Sequence, residues 1–258
     1  MSMQSTTMKS TKYYQFYSSL RFQLYHICDK VKSIMIEINT VFDDATDKIA
    51  LWCGASMDGT ELAQATQVIV EKNITNISLT PDVIRIVWPW VEKMPVKIMA
   101  RFYFKDKKIT DNQVSDVTEQ INTAFKNGAH GAQVFLRYCA LDSLVEQTHV
   151  IRDDLFFNRD LSIGLDISDV DCNDWENLFM NLRKINASSV LLSLNKDTGN
   201  KSDFVGRLYG MLNAWNVDNK FELHFAFGPN FSRIEQVLRL VKIMQPELLD
   251  RIKFWVNS

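Results

Sequence analysis

A single-domain (β/α)8 barrel, the TIM-barrel fold, is predicted by this sequence from three observations. Short apolar runs alternate with helical stretches from Lys48 to the last residue, and eight such runs can be counted with seven helical stretches between them. The whole fits in 258 residues, the size of one such barrel. Helix-start signals follow the runs closely, as strand–helix units require. In a barrel of this kind the chemistry gathers in the loops that follow the strand C-termini. The pattern therefore says where a site belongs before it says what the site does.

The strand-like runs are Ile49–Cys53, Ile74–Leu79, Val96–Phe104, Gly131–Arg137, Leu161–Asp166, Ser188–Leu194, Lys220–Phe227 and Arg251–Val256. Between them, Thr80-Pro81-Asp82 sets a cap before a proline at the first helical position, where a missing N–H costs nothing. Asn173 with Glu176, and Ser232 with Glu235, have the spacing of capping boxes. Gly128, after Lys126-Asn127, is expected to end the third helix in the left-handed conformation.

Composition narrows the class. The chain is 46% hydrophobic and 23% charged, with a net charge of -2, enough apolar material for one large core. Without a basic face, a nucleic-acid partner is not expected. No apolar run approaches the ~18–20 residues that span a bilayer, and Met1–Thr11 has no apolar signal-peptide core, so no membrane partner is expected either. Cys28, Cys53, Cys139 and Cys172 are widely spread, without paired spacing, and read as cytosolic thiols rather than a disulfide frame or a zinc site.

Residues 1–11 read as disordered. From Tyr13 to about Val41 runs a helical pattern without Gly or Pro, with Tyr17, Leu20, Leu24, Ile27, Val31, Ile34, Met35 and Ile38 on one stripe. The expected organisation is thus a disordered 1–11, an additional N-terminal helix within 12–47 that packs on the barrel, and the barrel itself over 48–258. The helix would fill the outer-ring slot that no eighth helix occupies, or cap the bottom of the barrel. Its stripe also suits a coiled-coil partner, and a homo-oligomer is one partner expectation.

Three segments carry a family resemblance. Ala124-Phe125-Lys126-Asn127-Gly128-Ala129-His130-Gly131-Ala132-Gln133-Val134 resembles the third helix, Asn-Gly-Ala turn and fourth strand of the deoxyribose-phosphate aldolase family of class I aldolases. Asn186 through Val190, with Asp197-Thr198-Gly199, resembles that family's sixth strand and its Lys-Thr-Ser-Thr-Gly motif; Gly228 through Val241, with Asp250-Arg251-Ile252, resembles its seventh strand and the approach to the eighth. The resemblance spans about residues 48–258 and implies an aldolase-like barrel. It does not carry the catalytic set. The Schiff-base Lys falls on Leu191 when the start of the sixth strand is aligned, or on Asn195 when its end is; the Asp of the fourth strand falls on Gln133, and the accessory Lys of the seventh near Phe225. The phosphate loops become Gly228-Pro229 and Phe254-Trp255-Val256-Asn257, bulky or lacking an N–H where the family has glycine. Only 9 glycines occur in the chain, about half the usual ~7%.

Candidate chemistry follows from position. Lys196 lies just beyond the sixth strand and is the candidate for imine chemistry, although Asp197 beside it stabilises its charged form. Asp166 ends an apolar strand and is a candidate proton carrier, or the ionic partner of Lys196 or Arg137. Arg101 and Arg137, near the ends of the third and fourth strands, could clamp a carboxylate or phosphate. Asn195 and Asn230 complete the binding candidates. No metal-ligand spacing and no cofactor motif is found, and His224 within the seventh strand reads as a packed histidine. Trp88-Pro89-Trp90 and Arg101-Phe102-Tyr103-Phe104 are expected to fill the strand–helix layer. Two functions fit: a lyase acting on a small anionic carbonyl metabolite, or a catalytically inactive barrel that binds a ligand or partner. An open mouth with converging polar groups favours the first; a mouth plugged by Phe225, Phe227 and Trp255 favours the second.

Overall fold

The computed structural model describes residues 46–54, 57–147, 159–193, 201–216, 218–227 and 231–257. The barrel belongs to the compact unit Asp44–Ser258. Residues 1–45, and with them the expected N-terminal helix, lie outside the described residues, as do Asn195, Lys196, Asn230 and the segments Asp197–Gly199 and Gly228–Pro229.

Eight strands close into one parallel barrel in sequence order: β1 Ile49–Trp52, β2 Asn76–Leu79, β3 Lys97–Tyr103, β4 Gly131–Phe135, β5 Asp160–Asp166, β6 Ser189–Ser193, β7 Glu222–Ala226 and β8 Ile252–Asn257. No boundary differs from the expected run by more than two residues. Among the described residues, the helices between them are α1 Gly59–Glu71, α2 Pro81–Val91, α3 Asp111–Lys126, the short α4 Leu141–Glu146, α5 Trp175–Lys184, α6 Lys201–Ala214 and α7 Phe231–Met244. The last strand pairs with the first, from Ile49 opposite Phe254 to Trp52 opposite Asn257, so the sheet has no open edge.

The strands are apolar runs because both their faces are buried. On β3, Ile98, Ala100 and Phe102 face the helices while Met99 and Arg101 face the axis, and all five are buried. The helices need one apolar face only: α3 buries Val114, Ile121, Ala124 and Phe125, which recur at helical spacing. Two reciprocal capping boxes start helices here, Asp58 with Glu61 at α1 and Thr110 with Gln113 at α3.

The helix starts expected from sequence fare differently. Thr80 stands at the N-cap position of α2 with Pro81 at its first position, but its hydroxyl makes no cap bond. Asp174 rather than Asn173 precedes α5, without a side-chain cap bond, and Ser232 falls inside α7. Gly128 has φ +109, and a Cβ there would lie 2.4 Å from the Trp88 ring. Trp88 thus packs in the layer as expected, whereas Trp90 stays 39% exposed.

The plug that would mark an inactive barrel is not made by the residues named for it. Phe225 and Phe227 do not plug the mouth. They point outward: Phe225 stacks on Phe227 at 5.4 Å and on Phe254 at 5.9 Å, while Phe227 is tilted against Phe254 at 6.3 Å and meets Phe204 of α6 edge-on. Trp255 does face the axis, but in the lower half, where its Nε1 donates to His224 Nδ1 at 3.2 Å.

Candidate functional site

Alternation along each strand decides what the mouth contains. Ala50, Met99, Phe135, Leu191, Ala226 and Trp255 form the apolar filling of the barrel, with Trp52 packed against it. Gly164 on β5 makes room for Phe135, since a Cβ there would sit 2.4 Å from the Phe135 ring. Above this filling three aromatic rings close over the axis. Trp52 and Phe135 have centroids 5.2 Å apart, and Tyr103 stacks on Phe135 at 5.1 Å. Among the described residues, these rings from β1, β3 and β4 cover part of the axis on the mouth side, with Tyr103 still 52% exposed.

Arg101 lies beneath these rings, 3% exposed. One guanidinium nitrogen, Nη2, donates to the Cys53 carbonyl at 2.6 Å, and the plane sits 4.7 Å from the Trp52 ring. Its Nε and Nη1 have no hydrogen-bond partner, and no carboxylate pairs with it among the described residues. Burial pushes the guanidinium below its ordinary value, against the opposing pull of Tyr103 and Cys53. The same burial pushes the Tyr103 phenol up, against the pull of Arg101. Unpartnered buried donors on a charged group are among the most costly arrangements in a fold.

The unpartnered groups continue sideways. In the parallel register Arg101 stands opposite Gln133, and Gln133 opposite Ser162. Gln133 is 0% exposed and accepts from Ser78 Oγ at 2.6 Å, which leaves its Nε2 unpartnered; Ser162 Oγ, also 0% exposed, has no partner. Three inward side chains on adjacent strands therefore present N–H or O–H groups with no acceptor among the described residues. Sequence reading singled out Arg101 but took Gln133 only as a replaced aspartate and passed over Ser162. Their period-two placement on neighbouring strands was the available signal.

The remaining candidates are scattered. Arg137 is exposed and lies four residues further along than Gln133, the register partner of Arg101, roughly 13 Å up the strand direction. The structure thus does not bring the two guanidiniums together. Asp166 ends β5, where its Oδ1 accepts from the Ser168 N–H at 2.9 Å and the Ser168 hydroxyl at 2.6 Å, capping the turn Ile167–Asp169. No ion pair joins it to Arg137 among the described residues. Leu191 points into the barrel, 0% exposed, at one of the two alignments of the Schiff-base lysine. No group of three or more His, Cys, Asp or Glu among the described residues could hold a metal, and no described helix is long and apolar enough to cross a membrane.

Comparison with known proteins adds the fold and stops there. No protein-family model matches the chain, and no curated protein matches it in sequence. Among solved structures, the tetrameric deoxyribose phosphate aldolase of Aeropyrum pernix has a TM-score of 0.58 at 12% identity, over 70% of this chain and 76% of its own. An aldolase designated QR15 reaches 0.63 at 11% identity, covering 83% of this chain and 92% of its own. The Streptococcus agalactiae protein CutC, assigned to copper homeostasis, reaches 0.59 at 10% identity over 81% and 98%. The chain has the barrel fold of deoxyribose-phosphate aldolases and related aldolase-like proteins. That fold is shared by proteins of different assigned roles, so activity has to be argued from the site.

Proposed function

We propose that this protein is an aldolase-fold barrel that binds a small anionic metabolite without imine catalysis. The observation that carries the reading is Arg101, held inside the barrel with Nε and Nη1 unpartnered, beside unpartnered donors on Gln133 and Ser162. A carboxylate or phosphate oxygen is the partner such a donor set suits. Leu191 at the lysine-aligned position and the partial ring cover of Trp52, Phe135 and Tyr103 support binding over turnover. Arg137, Asn195 and Asn230 are the rim candidates for the outer part of the ligand. The exposed thiols of Cys139 and Cys172 suit a cytoplasmic setting. A homo-oligomer belongs to the same reading, since the Aeropyrum neighbour is a tetramer.

The second reading, a lyase acting on a small anionic carbonyl compound, rests on Lys196. It lies three residues beyond the end of β6, on the loop side where barrel chemistry gathers. Asp166 would then carry a proton. One experiment separates the two readings. Native protein and Lys196→Ala are incubated with a panel of small aldehydes and ketones under borohydride, and intact mass is read. No adduct on the native protein is the expected result. An adduct lost in Lys196→Ala would replace the binding reading with the lyase.

A further inference from the structure

A cavity lies at the end of the barrel away from the mouth, among the strand N-termini, with a volume of about 230 Å³. Its floor is made by Met99 and Trp255, two members of the axial filling, and its wall includes Ser189 and Asn76. Charged side chains from the first residue of three strands, from the second residue of β8 and from just before β7 surround it. Lys97 pairs with Asp160 at 2.9 Å, and Lys253 pairs with Glu222 at 2.9 Å. A third lysine, Lys220, lines the cavity without an ion pair among the described residues.

We propose that this cavity binds a small oxyanion, a phosphate or polycarboxylate group, with Lys220 as its principal counter-charge. The charge count points that way. Both carboxylates facing the cavity already hold a lysine, so one ammonium is left over. His224 adds no acceptor. Its Nδ1 accepts from Trp255 Nε1, which leaves the proton on Nε2, directed at Glu222 Oε2 at 2.9 Å. A cation would meet carboxylates whose charge two lysines already balance, whereas an anion meets Lys220 directly and the spare N–H groups of Lys97 and Lys253 behind it. The arrangement is for binding rather than catalysis. Both ring nitrogens of His224 are engaged, so no base within the cluster is left to remove a proton from a ligand. The apolar floor excludes water from one side, which strengthens the attraction from a lysine at the rim. This site is independent of the one at Arg101. The two share no side chain, although Ser162 stands opposite Ser189 in the register and Met99 lies two residues before Arg101.

The test uses the full chain and two probes, inorganic phosphate and citrate, titrated calorimetrically at constant ionic strength. The native protein is expected to bind at least one of them. Measured in an Arg101→Met background, which removes the donor at the mouth, Lys220→Met should weaken that binding about tenfold and Lys220→Arg should retain it. Because Lys220 is exposed, its replacement leaves the core intact, which a circular dichroism spectrum checks. No binding of either probe to the native protein overturns the inference. So does binding that survives Lys220→Met. Binding lost only in Arg101→Met also overturns it, and returns the anion to the mouth.

Discussion

The two ends of this barrel handle charge in opposite ways. At the mouth, the Arg101 guanidinium is buried under aromatic rings, with Nη2 bonded to the Cys53 carbonyl and Nε and Nη1 without an acceptor among the described residues. At the strand N-termini, two carboxylates and three lysines form a half-exposed network around a cavity, and a buried histidine is hydrogen-bonded on both nitrogens. A charge buried alone is a cost that the rest of the fold must carry, while charges paired near water cost little and contribute little. The end that looks spent is therefore the end under tension, and the end that barrels usually leave to stability is the one with room for a ligand.

Packing gives the sharpest way to break this contrast. Gly131 and Gly164 both face the axis, one at each end. A Cβ on Gly131 would lie 2.5 Å from the Asp160 backbone oxygen, whereas one on Gly164 would lie 2.4 Å from the Phe135 ring. Backbone cannot swing away and a ring near the rim can. Gly131→Ala is expected to cost about 3 kcal/mol in urea unfolding and Gly164→Ala about 1–2 kcal/mol. Equal costs would mean that the aromatic cover is as rigid as the strands beneath it.

Charge comes next. Arg101→Met keeps much of the side chain's volume and removes a buried, unmatched cation. It should raise stability by about 1–2 kcal/mol in the absence of ligand while abolishing anion binding at the mouth. A loss of stability would show that Arg101 is held by partners stronger than the Cys53 carbonyl and Trp52.

Acid should act at the other end. Burial pushes His224 below its ordinary 6.5, against the hydrogen bond to Glu222 that would raise it. For Glu222 burial pushes the carboxyl up, but the hydrogen bonds from His224 and Lys253 outweigh it and bring it from 4.5 to about 2. In both cases the unfolded chain takes up the proton first, so the stability is fully present above pH 6.5. It falls below that value through His224, and again between about pH 4.5 and 2 through Glu222. Unfolding midpoints measured across this range should show a shallower acid limb in Glu222→Gln. A limb of unchanged slope would remove Glu222 from the network's account. The smallest effect is expected of Lys97→Ala, at most about 1 kcal/mol, because Lys97 and Asp160 are 58% and 38% exposed.

The sequence was most legible where a residue's class alone decides the outcome. Eight apolar runs became eight strands because strands buried on both faces must be apolar throughout. The same property hid the direction of each side chain. A run such as Phe225-Ala226-Phe227 gives no sign of which parity faces the axis, and a shift of one residue exchanges the faces. That is why Phe225 and Phe227 could be read as plugging the mouth of an inactive barrel and lie outside, while Trp52 and Phe135 face it. Asp166 illustrates another limit. A carboxylate closing an apolar strand needs a partner, but Ser168, two residues on, supplies one as well as a distant lysine would. The lower cavity did leave a trace, since Lys97, Asp160, Glu222 and Lys253 open or nearly open apolar strands, and Glu222 and His224 share a face. Only closure of the barrel brings them to one place.

The seam between β1 and β8 has a consequence in time. Ile49 meets Phe254 across more than two hundred residues of chain, so that contact cannot form until nearly all of the barrel has been synthesised. Until then β1 and β7 each offer an open row of N–H and C=O groups to any strand that passes. A newly made chain that pauses before Ile252 would be a seven-stranded sheet with two adhesive borders, the state in which slow, long-range folders are most exposed to one another.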